Sequence, residues 1–481
     1  MIPRGWILRL GLIALHIQLG ITGCSTNTET ASIRRAGGGT GDLLIRNVAV
    51  LDVATGKRVL ARDVLVRDGR IHAIEETGMN VPTRSGVIEG GGGTLLPGLI
   101  DMHGHVSKPR GPSWEPNRGD AHANLRAYLY AGVTTILDPA DSSGDAISRR
   151  EEIANGELLG PRVYTAANMV TCPGGHPLAL IDLFAPKWIA WMLRRGVAYE
   201  VETRAEAYAA VDQLADEGVD VIKVVVDHLP PAAPRISLET MKAINERANS
   251  RSLRWVAHVG SLQDAFDAGE AGASLWMHGI ARERATDAEI TRLADFGIPM
   301  VVTIEVNDRM LRGLNAPIDP TKLERETVPQ EVLDSFFPPP HEYVEGFAAF
   351  RSGGPEGNQR DLAMINGENM MRLKKAGVSI FVGSDSGPGG IFPGASLHRE
   401  LAQLVRAGMK PAEAIRAATL DPATWLANGG PLEFGAVRVG LRADLLLVRG
   451  DPTEDVKALE DLVAVIVDGT PIERRPVGAA E

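Results

Sequence analysis

The chain of 481 residues is long enough for about three domains of roughly 150 residues, or for one α/β barrel with an added domain. It carries 50 Lys and Arg against 61 Asp and Glu, and the net charge of -11 argues against non-specific nucleic-acid binding, which needs cationic side chains. Hydrophobic residues make up 44% and charged residues 23%, so disorder is excluded as the main state. The two cysteines, Cys24 and Cys172, cannot build a disulfide framework or a cysteine-based zinc cluster.

The first 23 residues have the features of an export signal. Arg9 precedes an apolar stretch that is shorter than the ~20 residues needed to span a bilayer. Residues 21–24 resemble a bacterial lipobox, which implies cleavage before Cys24 and lipidation of that cysteine; a plain signal peptide with an unrelated cysteine is the alternative. With Ser25 next, the lipobox predicts an exported protein that is lipid-anchored to the cell envelope, on the periplasmic face of the outer membrane. Residues 24–41 are polar and glycine-rich, and we expect a flexible tether.

Strand patterns occur at both ends of the remaining chain. Residues 64–71 predict two strands joined by an Asp-Gly hairpin turn, and two more strand-like runs follow residue 442. Neither end alone has enough strands for a stable sheet. Residues 42–97 and 429–476 are therefore predicted to fold together as one small composite β-sandwich domain.

The long middle region, residues 98–428, alternates between strand-like and helix-like runs. This pattern is typical of parallel βαβ units and predicts an α/β protein with a (β/α)8 TIM barrel; a doubly wound open sheet is the alternative. Residues 307–357 form a long excursion before the last strand, and we expect a lid or a disordered loop there. The predicted strands cover residues 98–103, 133–138, 162–167, 219–226, 254–259, 273–278, 299–304 and 378–385.

Metal-binding side chains stand where these predicted strands end. The active site of such a barrel lies at the C-terminal ends of its strands. His103 and His105 end the first strand two residues apart, so both can face one spot. His258, His278 and Asp385 end strands five, six and eight. Any one of them could be a core residue or, for Asp385, a helix cap. Together, imidazole and carboxylate groups suit Zn²⁺ and similar divalent ions.

Lys223 interrupts an otherwise apolar run on strand four. A buried ammonium group is costly, so this lysine either pairs with a nearby Asp or Glu or becomes neutral. A neutral amine can react with carbon dioxide to give a carbamate, which is a carboxylate on a long arm that can bridge two cations. The residues alone leave both alternatives open.

Two further histidines are candidates for substrate contact. His176, within a Gly-Gly-His sequence, follows strand three and either contacts substrate or belongs to a tight turn. His228 follows strand four and is the weaker candidate. The remaining histidines are expected on the surface or in the core.

The motif order is similar to that of the amidohydrolase superfamily. Residues 97–105 resemble its strand-one signature, and residues 435–445 resemble its C-terminal β segment. Within the superfamily the chain resembles the imidazolonepropionase-like and prolidase-like branch, and Lys223 resembles the carboxylated lysine of binuclear members. His176 resembles the histidine that lies near the substrate carbonyl or carboxylate in that branch. The stretch 227–231 departs from the glycine-rich turn expected there, which leaves the substrate least defined.

This resemblance implies a binuclear metal hydrolase. His103, His105 and Asp385 would hold one divalent ion, and His258 and His278 the other. The carboxylated lysine and a hydroxide would bridge them, Asp385 would act as general base and then acid, and His176 would steady the oxyanion. Zinc is the first expectation, with manganese, nickel or cobalt as alternatives.

The predicted reaction is hydrolysis of an amide bond in a small-molecule substrate, a dipeptide such as Xaa-Pro or an N-acyl amino acid. A lactonase or ester hydrolase with the same binuclear centre is the alternative enzyme. A non-catalytic, small-molecule-binding lipoprotein is the alternative of another class. Homo-oligomer formation is compatible with the sequence but is not defined by it.

Overall fold

The computed structural model describes most of the chain beyond the predicted signal peptide. That peptide, Cys24 and most of the predicted tether lie outside the described residues. Every helix in the described part is too short or too polar to cross a bilayer. The described residues are 30–36, 42–80, 86–115, 119–179, 181, 194, 196–229, 233–312, 315–341, 343–344, 362–387 and 389–479.

Strands and helices are numbered in chain order within the described residues. The strands are β1 (Ser32–Arg35), β2 (Leu43–Asp52), β3 (Lys57–Arg67), β4 (Arg70–Glu76), β5 (Gly86–Glu89), β6 (Thr94–Pro97), β7 (Leu99–Asp101), β8 (Val133–Asp138), β9 (Arg162–Thr165), β10 (Met169–Thr171), β11 (Ala198–Glu200), β12 (Val221–Val225), β13 (Arg254–His258), β14 (Leu275–His278), β15 (Met300–Val302), β16 (Ile380–Val382), β17 (Leu445–Val448), β18 (Leu462–Val467) and β19 (Thr470–Arg475). The α-helices are α1 (Ala121–Tyr130), α2 (Ser143–Ala154), α3 (Arg204–Glu217), α4 (Leu238–Ser250), α5 (Leu262–Glu270), α6 (Asp287–Asp295), α7 (Ile304–Arg312), α8 (Lys322–Thr327), α9 (Gln330–Asp334), α10 (Leu362–Lys375), α11 (Ala395–Arg406), α12 (Pro411–Ala417) and α13 (Leu420–Leu426).

Both ends of the chain meet in one nine-stranded sheet, which confirms the predicted composite β domain. The strand order is β1-β19-β18-β17-β6-β2-β3-β4, with β5 beside β2. Strands β17 and β6, which are far apart in the sequence, pair antiparallel. Side chains alternate along β17: Leu445 and Leu447 enter the core of the β domain, whereas Leu446 and Val448 pack in the core shared with the barrel.

One part of the predicted tether is ordered. Strand β1, at residues 32–35, pairs antiparallel with β19 near the other end of the chain. The prediction of a flexible tether over residues 24–41 is therefore wrong for this segment. Its four residues, Ser-Ile-Arg-Arg, are too few to distinguish an edge strand from a linker in the sequence.

The middle of the chain forms the predicted barrel of eight parallel strands. These are β7, β8 and β9 followed by β12 to β16, in two hydrogen-bonded groups. Backbone hydrogen bonds join the groups into a ring: the N–H of Met102 donates to Val382 O at 2.9 Å, and the N–H of Asp220 donates to Thr165 O at 2.9 Å. The short strands β10 and β11 extend the sheet beside β12, and neither was predicted separately.

Alternation along the barrel strands decides which side chains point inwards. Val221 and Met277 belong to the interior cluster, whereas Ile222 and Val224 pack towards the helices. Lys223 shares the parity of Val221 in β12, so its side chain enters the barrel. The same parity that buries the apolar interior therefore brings a lysine to the centre of the molecule.

The excursion at 307–357 contains helices where the structure describes it, so the expectation of a disordered loop is wrong for this part, whereas a lid stays a prediction. Helices α7, α8 and α9 lie in or next to it. Phe336 is buried and packs edge-on against Trp114, with 6.2 Å between ring centroids, and against Phe392 at 5.8 Å. The excursion is thus packed against the loops that follow strands one and eight.

Asp101 links the first and last strands of the barrel. Its fully buried Oδ1 accepts hydrogen bonds from the N–H groups of His103 and Ser384, both at 3.0 Å. Its Oδ2 accepts the Ser384 hydroxyl at 2.5 Å. Burial raises the pKa of this carboxyl group, and the three hydrogen bonds oppose that shift. One side chain therefore holds the two strand ends together.

We expect Asp101→Ala to lower the free energy of unfolding by about 2–4 kcal/mol, because it leaves buried donors without an acceptor, each at a cost of about 1–3 kcal/mol. Asp101→Asn serves as the control, since its amide oxygen can still accept both backbone N–H groups. The thermal unfolding midpoint of the two variants and the parent is the measurement. Equal midpoints for the alanine variant and the parent would contradict this role.

Candidate metal centre

Asp385 lies at the centre of the residues predicted to bind metal. Its Oδ1 is 3.2 Å from His105 Nε2 and 3.6 Å from His103 Nε2, and its Oδ2 is 3.7 Å from His278 Nδ1. Ligand atoms of His103, His278 and Asp385 all lie within 4.8 Å of one another. Strands one, six and eight therefore bring their terminal side chains to one point.

The four imidazoles form a continuous chain of rings. The ring centroids of His103 and His105 are 5.3 Å apart, those of His103 and His278 are 4.3 Å apart, and those of His258 and His278 are 3.9 Å apart. His258 thus joins the cluster through His278. All four strand-end histidines selected from the sequence lie in one site.

The side chain of Lys223 lies inside the barrel, on the interior side of the cluster. The residue is 1% exposed, and its Nζ donates a hydrogen bond to the sulfur of Met277 at 3.0 Å. Within the described part of the chain, no Asp or Glu oxygen lies at ion-pair distance from this nitrogen. Burial lowers the pKa of Lys223 to about 7, although nearby Asp385 opposes the shift. The amine therefore has a substantial neutral fraction near neutral pH.

The backbone turns two of these side chains into the site. His278 has φ of 82° and Asp385 has φ of 52°, both in the left-handed region that residues other than glycine rarely adopt. Without that turn, the alternation along β14 would point His278 away from the interior, since Trp276 packs towards the helices. Such strain costs roughly 1–3 kcal/mol and is typical of functional sites.

The donor set fits divalent cations. Burial lowers the pKa of His103, His258 and His278, and neighbouring positive groups lower it further, so these imidazoles are neutral. The nearby histidines and Lys223 lower the pKa of Asp385 against the effect of burial, so its carboxylate is ionised. Among the described residues, the buried His103 Nδ1 and His278 Nε2 have no hydrogen-bond partner. Neutral imidazoles beside a carboxylate are the ligands that zinc prefers.

Two buried carboxylates support the histidines, and the sequence analysis missed both. Asp138 Oδ1 is 3.5 Å from His105 Nδ1, and Asp227 Oδ2 is 3.5 Å from His258 Nε2. Burial lowers the pKa of His105, but its contacts with Asp138 and Asp385 outweigh that effect and raise the pKa to about 9. A signal was present in the sequence, because Asp138 ends strand two and Asp227 follows strand four. Carboxylates in this position orient metal-binding imidazoles.

Of the two predicted substrate residues, His176 lies beside His258 and His228 lies beside Asp227. The His176 ring is 5.2 Å from the His258 ring, and its Nδ1 is 3.1 Å from Leu229 O. Because Nδ1–H then donates to that carbonyl, a neutral ring presents Nε2 as an acceptor, and stabilising an oxyanion would require a protonated ring. His228 is half-buried, and one of its ring nitrogens lies within 4.8 Å of carboxylate oxygens of Asp227 and Asp264. Both substrate roles stay predictions.

Comparison with known proteins identifies the family. Residues 94–472 match the Amidohydrolase family. An ochratoxinase from Aspergillus niger is 38% identical over 399 residues, which cover 77% of this chain and 73% of that protein.

Two solved structures share the fold. A Xaa-Pro dipeptidase with methionine bound in its active site is 22% identical, with a TM-score of 0.70 over 90% of this chain and 99% of that chain. A prolidase complexed with N-methylphosphonate-L-proline is 20% identical, with a TM-score of 0.68 over 90% of this chain and 100% of that chain. The family match confirms the superfamily predicted from residues 97–105, and the shared fold fits the predicted branch. The chain belongs to the amidohydrolase family and is a metal-dependent hydrolase that acts on carbon–nitrogen bonds.

Proposed function

We propose that this protein hydrolyses the amide bond of a dipeptide or an N-acyl amino acid. The observation that carries the proposal is the convergence of four imidazoles, one carboxylate and one buried lysine at the C-terminal rim of the barrel. The shared fold of the Xaa-Pro dipeptidase and the prolidase supports the substrate class. The relative named ochratoxinase adds ochratoxin to the substrates worth testing.

Two divalent cations, zinc first, fit this ligand set. His103, His105 and Asp385 would hold one, and His258 and His278 the other, as the family resemblance implies. When bound, such a pair of cations lowers the pKa of a water molecule and polarises the scissile carbonyl group.

The protein's own groups handle the proton and the substrate. The ionised carboxylate of Asp385, at the centre of the cluster, accepts the proton of the attacking water and passes it to the leaving amine. His176 contacts the substrate beside His258, held by its hydrogen bond to Leu229 O. Asp138 keeps His105 in orientation through their 3.5 Å contact.

The first test is a hydrolysis screen over Xaa-Pro dipeptides, N-acyl amino acids, ochratoxin and lactones, with metal content measured on the same sample. We expect amide hydrolysis by the parent and a loss of about 10²–10⁴-fold in Asp385→Asn, because general acid–base catalysis contributes that much. Asp287→Asn, at a fully exposed carboxylate, is the matched control and should retain activity.

The other functions give different results in this screen. Activity confined to lactones or esters would replace the amidase with the alternative hydrolase. Binding of substrates without turnover by the metal-loaded parent would identify a non-catalytic binding lipoprotein. Full amide hydrolysis by Asp385→Asn would contradict the role given to that carboxylate.

Lys223 is proposed to carry a carbamate, whose carboxylate would help to hold the two cations. The nitrogen of the neutral amine adds to the carbon of carbon dioxide. The C–N bond forms as one C=O π bond breaks, and the nitrogen releases one proton to solvent to leave the carbamate. We expect a carbamate signal in ¹³C NMR after metal loading in labelled bicarbonate, and its disappearance with loss of metal in Lys223→Met. Lys242→Met, at a half-exposed lysine, should leave both unchanged. A fully metal-loaded parent without the carbamate signal would contradict this role of Lys223.

Lipid anchoring of Cys24 on the periplasmic face of the outer membrane belongs to the same proposal. We expect the parent to fractionate with envelope membranes in a double-membraned bacterial host and Cys24→Ala to lose that association. Cys172→Ala, at the buried cysteine, is the control and should remain with the membranes. Release of the parent as a soluble periplasmic protein would support the plain signal peptide instead.

A further inference from the structure

We infer that Arg282 binds the free carboxylate of the substrate, so that the enzyme prefers amides whose nitrogen belongs to an amino acid with an ionised α-carboxylate. This inference rests on the proposed amide hydrolysis and names the residue that recognises the carboxylate of its substrates. Arg282 was not selected from the sequence, because it stands in a loop four residues after His278 and matches no motif.

Arg282 is one carboxylate away from the candidate metal centre. Its Nη2 is 2.5 Å from Asp227 Oδ1, and the other carboxylate oxygen, Asp227 Oδ2, is 3.5 Å from His258 Nε2. Asp227 is 5% exposed, so the guanidinium group has a nearly buried partner that fixes its position. The positive charge is thereby held at the edge of the imidazole cluster.

The loop after strand four contacts both Arg282 and the substrate candidate His176. Two consecutive carbonyl groups of that loop make these contacts. His228 O accepts a hydrogen bond from Arg282 Nη2 at 3.4 Å, and Leu229 O lies 3.1 Å from His176 Nδ1. This is the stretch in which the chain departs from the glycine-rich turn of its family branch. The stretch that departs from the branch is therefore the one that holds the guanidinium group of Arg282.

The backbone around Arg282 is also constrained. The N–H groups of Ala281 and Arg282 lie 3.4 Å from Gly260 O, which ties this loop to the end of strand five. A Cβ at Gly260 would lie 2.8 Å from Asp227 Oδ2, so glycine permits the carboxylate to approach that closely. The arginine side chain is 27% exposed, which leaves part of the guanidinium open to the rim.

This arrangement suits recognition of a carboxylate. A guanidinium group offers five donors in a planar fork, and Asp227 contacts one of its nitrogen atoms. The remaining donors can form a charge-assisted pair with a second carboxylate. In an N-acyl amino acid, the α-carboxylate is attached to the carbon next to the scissile nitrogen, so an amide placed at the metal centre carries its carboxylate towards the neighbouring rim.

The experiment compares two substrates that differ only in this charge: an N-acyl amino acid and its C-terminal amide. We expect the metal-loaded Arg282→Met variant to lose about 10–100-fold in kcat/KM on the free acid, mainly through a higher KM. This is the loss expected when a hydrogen bond to a charged group is removed. The amide should lose much less than the free acid, since removing the partner of Asp227 affects both substrates alike. Arg282→Lys keeps the charge and should retain part of the preference.

Arg284→Met is the matched control. This arginine stands two residues further on, is half-exposed and pairs with the exposed Glu368. It should leave both substrates unaffected. Equal losses on acid and amide in the metal-loaded Arg282→Met and Arg282→Lys variants would overturn the inference, because Arg282 would then merely neutralise Asp227.

Binding of free amino acids separates this inference from the proposed function. L-Proline and L-phenylalanine, each compared with its amide, are titrated calorimetrically into the metal-loaded parent and variants. Tighter binding of the acids that disappears in Arg282→Met supports the inference even if the parent hydrolyses no amide in the screen. Absence of any preference for the acids in the parent overturns it even if amides are hydrolysed.

Discussion

The closure of eight parallel strands into a ring is the constraint on which the site depends. Met102 donates its N–H to Val382 O, and Asp101 joins the ends of strands one and eight through His103 and Ser384. Once the ring is closed, the carboxyl ends of all strands share one rim. Side chains that are far apart in the chain then meet at that rim.

The rim brings together buried polar groups whose interactions with the other described residues do not fully offset the cost of burial. The imidazoles of His103, His258 and His278 are kept neutral by burial, the carboxylate of Asp385 stays ionised, and the Lys223 amine lacks an ion-pair partner among the described residues. Each of these groups would be costly to bury without compensation. In the proposed centre, a pair of divalent cations and a carbamate would compensate all of these groups together.

Chemistry and specificity come from different parts of the molecule. In the proposed mechanism the strand ends supply the groups that activate water. The loops after strands three, four and six carry His176, His228 and Arg282. The helical excursion packs through Phe336 against the loops after strands one and eight. Loops can change without disturbing the ring of strands, so related barrels can cleave different amides with the same metal-binding frame.

The sequence by itself determined the barrel, the composite β domain and the six candidate ligands, because strand periodicity and the residues at strand ends are local properties. The tertiary structure alone decided which groups surround them. Asp138 and Asp227 reach His105 and His258 across neighbouring strands, and positive φ angles at His278 and Asp385 aim their side chains inwards. The strand at residues 32–35 exists because the far end of the chain offers it a partner. Contacts between distant segments and backbone strain depend on the assembled fold, and neither leaves a periodic pattern in the sequence.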